Sequence, residues 1–330
     1  MTEVDTNVLL SSPGMHEMAE RIMPLLKARD ARFSHQRVGC VPFANGEIKP
    51  QIPETVRGMH AFFLHPLQHP DPNTALLSML LTCDALTRGS VSGITLVLPY
   101  IPYLRQDRKD QPRVPISARV IADLIESNPR VDRLITLDMH ADQEQGFFSI
   151  PVDNLSGSVV HAEYFRKQFH NDFSKVVVVA PDFGSAVRAR RFAARLEENV
   201  PVSIIDKRRP GPNKAKVIGF VGESVTDRDV ILYDDMIDTG GTIRAAVGEI
   251  LKRGARSACI CVTHALFSND AEESFLEAHY PVIVTQSIPR PNNYWRRHEA
   301  WLEAVSIDEL LAKAMHEAST IGGSVSKLSK

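Results

Sequence analysis

Short apolar runs alternate along the chain with longer stretches in which apolar residues recur every third or fourth position. The short runs are rich in Val, Ile and Leu and predict buried β-strands, whereas the longer stretches predict amphipathic helices. This alternation is typical of parallel sheets whose strands are joined by crossover helices. The predicted strands span residues 93–101, 133–138, 176–182, 202–207, 229–235, 258–266 and 282–288, and the predicted helices span 15–27, 74–88, 116–126, 186–198, 242–253 and 270–279.

The pattern occurs in both halves of the chain, and 330 residues suffice for two domains of about 150 residues each. Pro, Gly and Ser interrupt it in "IPVDNLSGS", residues 150–158, where we expect the two halves to join. Strands made almost entirely of Val, Ile and Leu imply sheets covered on both faces. We therefore predict an α/β protein with two tandem domains, residues 1–157 and 158–330, each a mostly parallel sheet flanked by helices.

Composition excludes several classes of function. The formal net charge is only −2, so a nucleic-acid partner is disfavoured, because binding to a phosphate backbone needs clustered Lys and Arg. No apolar stretch approaches the roughly 20 residues that span a bilayer, and the first residues lack the basic start of an export signal. The four cysteines show no metal-binding spacing. We expect a cytoplasmic protein with no nucleic-acid and no membrane partner.

The stretch "VILYDDMIDTGGT", residues 230–242, carries the clearest chemistry. It places acids at the end of a predicted strand, where open parallel sheets bind their ligands. Its two glycines let backbone amides converge just before a helix, which favours a phosphate site, and the acids suit ribose hydroxyls, directly or through Mg²⁺. The alternative is an acidic turn that only caps the helix. The residues that would bind a sugar phosphate are Asp234, Asp235, Asp238, Thr239, Gly240, Gly241 and Thr242.

Two other segments supply candidate charges. In an extended segment Lys207 and Arg209 lie on one side, so both cations can reach the same phosphate, and the Pro and Gly residues that follow favour a flap over a nucleotide. A solvated basic loop is the alternative. Asp138 and His140 stand two residues apart at the end of a predicted strand, which also places them on one side. A buried structural histidine is the alternative there.

Five motifs, in order, carry a resemblance to a known family: "VLPYIPYLRQDRKD" (97–110), "DMHADQEQGFF" (138–148), "APDFG" (180–184), "IIDKRRPGPN" (204–213) and "ILYDDMIDTGGT" (231–242). With them the chain resembles the ribose-phosphate diphosphokinase family, whose domains have the type I phosphoribosyltransferase fold. The resemblance implies transfer of the β,γ-diphosphoryl group of MgATP to the 1-hydroxyl of ribose 5-phosphate, with release of AMP. It also implies a homo-oligomer built from dimers, with a hexamer expected.

The resemblance further implies roles for individual residues. Lys207 and Arg209 would be the catalytic pair, and the cofactor Mg²⁺ would be held at His140, Asp182 and Asp138. In the ATP site an aromatic ring would stack on adenine and polar groups would bind its edge and the phosphates. In this family the segment "PFANGE" often comes from a neighbouring subunit. The implied ATP-binding residues are Phe43, Asn45, Gly46, Glu47, Arg105, Gln106 and Asp110.

Two alternatives stay open. A phosphoribosyltransferase that consumes phosphoribosyl pyrophosphate shares the loop at 230–242, although it needs none of the ATP-like motifs of the first half. A regulatory paralogue without turnover is the other alternative, because Ser149 stands where the family usually carries an acid. Four residues to which the resemblance gives a catalytic or metal-binding role are present and favour an active enzyme: Lys207, Arg209, His140 and Asp182.

Overall fold

The computed structural model describes residues 6–211 and 214–329, and the side chains of 207–218, 292 and 329 lie outside the described set. Contacts divide the chain into two compact units: one runs to Ser156 and resumes at Ile307, and the other is Gly157–Ser306. We call them unit 1 and unit 2. Within the described residues, no helix combines the length and the apolar character that crossing a membrane requires.

The elements follow one another along the chain as the sequence pattern predicts, with several additions. The strands are β1 Asn7–Ser11, β2 Phe33–Arg37, β3 Gly39–Pro42, β4 Ile48–Gln51, β5 His60–Leu64, β6 Gly93–Leu98, β7 Val131–Leu137, β8 Val152–Leu155, β9 Val176–Ala180, β10 Val202–Gly211, β11 Lys214–Val221, β12 Asp229–Ile237, β13 Ser257–Ala265, β14 Val282–Thr285 and β15 Leu302–Val305. The α-helices are α1 His16–Lys27, α2 Pro72–Arg88, α3 Ser117–Ile125, α4 Ser158–Gln168, α5 Ala186–Leu196, α6 Gly241–Lys252, α7 Ala271–Ala278, α8 Asn292–His298 and α9 Asp308–Ser319. Two 3-10 segments are Asp142–Phe147 and Val325–Ser329.

Unit 1 is built on a six-stranded sheet in the order β2-β1-β5-β6-β7-β8, and every neighbouring pair in it is parallel. A separate antiparallel ribbon joins β3 and β4. The sequence pattern had predicted only β6 and β7 of this sheet. The other strands are four or five residues long, too short for their periodicity to distinguish them from loops.

Unit 2 is built on a seven-stranded sheet in the order β11-β10-β9-β12-β13-β14-β15, parallel except for the antiparallel pair of β10 with β11. The sheet is buried on both faces. Val230 and Leu232 of β12 pack in one core cluster with Ile243 of α6, whereas Ile231 and Tyr233 pack in another with residues of α4 and α5. The two mostly parallel sheets confirm the predicted fold class.

The C-terminal residues depart from the expected continuous second domain 158–330. Helix α9 packs on α1, and the Arg21 guanidinium donates to both oxygens of Asp308, at 2.7 Å from Nε and 3.3 Å from Nη2. Arg29 pairs with Glu309 at the same interface. The last helix therefore belongs to unit 1, because its apolar face and its acids find their partners on the first helix of the chain.

Candidate functional site

The loop between β12 and α6 is shaped by a left-handed glycine. Gly240 is the N-cap of α6 with φ 72° and ψ −8°, and a Cβ at this position would lie 2.5 Å from Cε2 of Phe275. Gly241, the first helical residue, is exposed, and a Cβ there would meet nothing within 4 Å. The chain thus needs glycine at 240 for its own fold, whereas the space over Gly241 is open to a ligand.

The carbonyl groups of Ile237 and Asp238 accept hydrogen bonds from the segment that follows β13. The amides of Leu266 and Ser268 donate to the carbonyls of Ile237 and Asp238 at 2.9 and 3.1 Å. Arg290 in turn donates to the carbonyl of Leu266 at 3.0 Å. Since the amides in the first turn of a helix have no intrahelical acceptor, the groups that this loop can offer an anion are amides and hydroxyls.

Two of the predicted acids lie inside β12, because the strand continues two residues beyond the predicted end at 235. Asp234 pairs with Val262 of β13, and ladder pairing continues to Ile237. The side chain of Asp234 is 20% exposed and that of Asp235 only 4%. Rigid strand backbone therefore positions both carboxylates.

Among the described side chains, Arg188 of α5 supplies a cation that faces this acid pair. Its Nη1 lies 3.8 Å from Oδ1 of Asp234 and 3.6 Å from Oδ1 of Asp235. Burial and the neighbouring charge of Asp235 raise the pKa of Asp234 well above its usual range, against the opposing effect of Arg188. Arg188 was not predicted from the sequence. The sequence indicates only that Arg188 lies four residues before Phe192, and therefore on the same face of α5.

An aromatic contact fixes that face of α5 on β12. The rings of Phe192 and Tyr233 stack with centroids 4.1 Å apart and planes within 7° of parallel. The Tyr233 hydroxyl is 3.3 Å from Nδ1 of the buried His161, and burial lowers the pKa of this histidine to about 3. Because Asp235 follows Tyr233 by two residues on the same face of the strand, the stack also fixes where Arg188 meets the acids.

Asp182 joins the acid pair in unit 2, as its place beyond β9 predicts. One carboxylate oxygen of Asp182 accepts from the amide of Ser185 at 3.1 Å and lies 3.2 Å from the Ser185 hydroxyl. Its negative charge also contributes to the raised pKa of Asp234. The structure therefore brings three of the predicted acids into one electrostatic group beside Arg188.

Asp138 and His140 lie in unit 1 just after β7, but not in an extended segment. Asp138 has φ 38°, its amide donates to the carbonyl of Leu155 at 2.9 Å, and the amide of Met139 donates to Oδ1 of Asn154 at 3.1 Å. The chain thus turns at Asp138, so the two-residue alternation that predicted a common side ends at Leu137. Asp138 is partly buried and His140 is exposed.

The segment "PFANGE" forms the tip of the β3–β4 ribbon. The amide of Phe43 donates to the carbonyl of Glu47 at 2.7 Å, and the Asn45 side chain accepts from the amide of Glu47 at 3.1 Å. Gly46 closes the turn with φ 89°. Phe43 is left 47% exposed, which is unusual for phenylalanine.

The other predicted ATP-binding residues lie in the connection between β6 and α3. Arg105 and Asp110 are exposed. Gln106 has a structural task as well, because its carbonyl accepts from the amide of Ala118 at 3.2 Å and its side chain accepts from the Ser117 hydroxyl at 2.5 Å. Gln106 therefore anchors the start of α3.

The structure gives partial information on three further predictions: the catalytic pair, the position of Ser149 and the metal site. The backbone of Lys207 and Arg209 belongs to β10, but their side chains lie outside the described residues, so their role stays a prediction. Ser149 is exposed, and its amide donates to Oε1 of Glu126 at 2.5 Å. Among the described side chains, no group of three or more His, Cys, Asp or Glu is arranged to hold a metal ion by itself.

Family models match both units. Residues 7–128 match the N-terminal domain of ribose phosphate pyrophosphokinase, and residues 157–303 match the phosphoribosyl transferase domain. The second match shows that unit 2, with its sheet and the loop before α6, is a domain of the phosphoribosyltransferase type. Comparison with individual proteins identifies the family within this class.

The chain is similar over most of its length to several curated proteins. It is 44% identical over 243 residues to the ribose-phosphate pyrophosphokinase of Clostridium tetani, which is 74% of each chain. It is 40% identical over 308 residues to ribose-phosphate pyrophosphokinase 1 of Lactococcus lactis, covering 93% of this chain and 91% of that protein. A crystal structure of phosphoribosylpyrophosphate synthetase from Mycobacterium smegmatis matches with a TM-score of 0.81 and 36% identity, over 94% of this chain and 98% of that one.

The chain belongs to the ribose-phosphate pyrophosphokinase family. The resemblance read from the five motifs is thereby confirmed, and with it the prediction of an enzyme that transfers a diphosphoryl group.

Proposed function

We propose that the chain transfers the β,γ-diphosphoryl group of ATP to the 1-hydroxyl of ribose 5-phosphate, giving phosphoribosyl pyrophosphate and AMP. The observation that carries this proposal is the meeting, at one end of β12, of a buried acid pair with a glycine-shaped helix start. One part suits the hydroxyls of a sugar and the other suits its phosphate. Each part lies on rigid elements, as the positioning of a substrate requires.

The sugar phosphate would sit with its phosphate over the first turn of α6. Amides of residues 239–242 and the hydroxyls of Thr239 and Thr242 would donate to its oxygens. The open space above Gly241 supports this placement, because a phosphate must approach the backbone closely there. Asp234 and Asp235 would then accept hydrogen bonds from the ribose hydroxyls.

The described acids suit a magnesium ion. Burial raises the pKa of Asp234, and the negative charges of Asp235 and Asp182 raise it further. A divalent cation would relieve the repulsion among the three acids. Carboxylate oxygens are hard ligands, and Mg²⁺ takes only one or two of them beside water and substrate oxygens. Bound there, it would supply positive charge to substrate oxygens. We assign Asp138 and His140 to the magnesium bound with the ATP phosphates.

The remaining roles follow the family resemblance. Lys207 and Arg209 would stabilise the charge of the migrating diphosphoryl group, which is the main task of a protein in phosphoryl transfer. The exposed ring of Phe43 would stack on adenine, with Asn45 and Glu47 at its edge. We propose that this tip serves a neighbouring subunit of a homo-oligomer. A reaction between ATP and a sugar phosphate fits the cytoplasmic location that the sequence predicts.

Product analysis tests the proposal. The purified protein is incubated with ATP, Mg²⁺ and ribose 5-phosphate, and AMP and phosphoribosyl pyrophosphate are quantified by chromatography. We expect the two products in equal amounts, and none when ribose replaces ribose 5-phosphate. A consumer of phosphoribosyl pyrophosphate or an inert paralogue would form no AMP.

Asp235→Asn provides the matched test of the acid pair. The change keeps the shape of the side chain but removes a charge that we assign to the ribose and magnesium, so we expect the KM for ribose 5-phosphate to rise. Asp227→Asn, on an exposed turn of the same unit, is the control with equal loss of charge. Equal kinetics of the two variants would contradict the assigned site.

A further inference from the structure

Three arginines of unit 2, Arg188, Arg290 and Arg244, bear on the proposed sugar phosphate site, and the first two are already engaged. Arg188 faces Asp234 and Asp235. Arg290 donates to the carbonyls of Ala265 and Leu266 at 3.4 and 3.0 Å and lies 5.1 Å from the centroid of the Tyr294 ring. Neither side chain is therefore available to the phosphate without giving up an existing contact.

Arg244 is the third, and it stands in the first turn of α6. Its amide donates to the carbonyl of Gly240 at 2.9 Å, the hydrogen bond that opens the helix. Helical side chains lean toward the N-terminus of their helix, so the guanidinium of Arg244 is directed to the end at which Thr239 and Gly241 lie. An arginine side chain is long enough to cover the one turn that separates it from that end.

The side chain of Arg244 has a buried donor that lacks an acceptor among the described residues. Its Nε is shielded from solvent and has no hydrogen-bond partner among the described residues. It takes part in none of the ion pairs found between described side chains, whereas Arg253, directly after the same helix, pairs with Glu249. A shielded guanidinium nitrogen without an acceptor costs free energy, which an anionic oxygen would offset.

We propose that Arg244 completes the phosphate site by binding the phosphate of the sugar phosphate substrate together with the amides of the first turn. This inference rests on the proposed function. Arg244 would then make the site selective for a phosphomonoester dianion over a neutral sugar. A guanidinium binds two phosphate oxygens at once, but it gains no ion pair from the hydroxymethyl group that a neutral sugar has in place of the phosphate. It also offsets the negative charge that Asp238 places beside the phosphate.

The test compares steady-state kinetics of Arg244→Gln, Arg244→Lys and the parent protein. We expect Arg244→Gln to raise the KM for ribose 5-phosphate by about 10-fold or more, equivalent to ~1.4 kcal/mol, while the KM for ATP stays within about twofold. Arg244→Lys should fall between the two, because lysine keeps the charge but not the paired donors. Lys252→Gln, which removes the same charge from the exposed far end of α6, should match the parent.

Thermal unfolding separates binding from a structural role. Since the Nε of Arg244 has no partner to lose, Arg244→Gln should melt at the parent temperature or above it. A lower melting temperature with an unchanged KM would overturn the inference, and so would an unchanged KM for both substitutions at 244. If Arg244→Gln does not fold, the KM of Arg244→Lys for ribose 5-phosphate tests the inference instead.

Gly241→Ala distinguishes this inference from the proposed function on which it rests. If Gly241→Ala raises the KM for ribose 5-phosphate and the Arg244 variants do not, the loop binds the phosphate without Arg244 and only the inference fails. If neither position affects the KM, the proposed phosphate site fails as well.

Discussion

Substitution of Gly240 by alanine should destabilise unit 2 through two effects that can be worked from the structure. An L-residue held at φ 72° costs about 1–2 kcal/mol relative to glycine. The added Cβ would lie 2.5 and 2.7 Å from Cε2 and Cζ of Phe275, a fully buried ring stacked on Trp301. Overpacking of this kind costs about 1–3 kcal/mol. We therefore expect Gly240→Ala to lower the free energy of unfolding by about 2–5 kcal/mol.

Denaturation by urea, followed by tryptophan fluorescence, measures this loss directly. The two tryptophans of the chain are Trp295 and Trp301, both in unit 2, so the signal reports the unit that carries the substitution. Trp301 also stacks on the ring that the new methyl group would displace. The midpoint should fall while the slope of the transition stays constant, because the unfolded state exposes the same surface.

Gly241→Ala is the matched control, one residue away. A Cβ there has no neighbour within 4 Å, and alanine is a better helix former than glycine, so stability should stay equal or rise by up to about 1 kcal/mol. The new methyl group would nevertheless occupy the place assigned to the phosphate, so the KM for ribose 5-phosphate should rise. Equal stability of the Gly240→Ala and Gly241→Ala variants would refute the assigned roles of the two glycines.

Three further predictions concern charged and titratable groups. Arg188→Gln leaves the acid pair without its cation and should cost about 2–4 kcal/mol in unfolding experiments at pH 7, a loss that Mg²⁺ partly restores. The gap to the parent should narrow in acid, since the raised pKa of Asp234 means that the folded protein takes up the proton more readily than the unfolded chain. Burial lowers the pKa of His161 to about 3, so this side chain is neutral in the folded protein while the unfolded chain binds a proton below about pH 6.5. His161 should therefore contribute a fall in stability of about 1.4 kcal/mol per pH unit from about pH 6.5 down to pH 3, and the stability of His161→Phe should fall less steeply by that amount. Lys207→Ala should lower kcat at least ~100-fold in the assay of AMP formation and change the affinity for ATP by less than ~10-fold. Comparable losses in kcat and in ATP affinity would contradict a role confined to the transition state.

Much of the local structure of the candidate site could be predicted, because its residues are close together in the sequence. Residues 230–242 combine a strand, three acids, two glycines and a helix start within thirteen positions, and each feature follows from the preference of its residues. Helix α6 begins at Gly241, one residue before the predicted start at 242. The alternation of strands and helices likewise predicted a mostly parallel sheet in each half, although only two strands of the first sheet.

Other features depend on contacts that a linear pattern does not contain. Arg188 looks like any exposed helical arginine until the stack of Phe192 on Tyr233 fixes α5 against β12. Helix α9 carries no signal in its sequence that it packs with α1 rather than with the preceding residues. The turn at Asp138 also escaped prediction, because it arises from hydrogen bonds to Asn154 and Leu155 on the next strand.

A crystal structure of the protein with ribose 5-phosphate and Mg²⁺ would test the assigned sugar phosphate site most directly. We expect the phosphate within hydrogen-bond distance of the amides of residues 239–242, and the ribose hydroxyls at Asp234 and Asp235. A substrate phosphate bound elsewhere, with this loop unoccupied in a protein that forms AMP from the same substrates, would contradict this assignment.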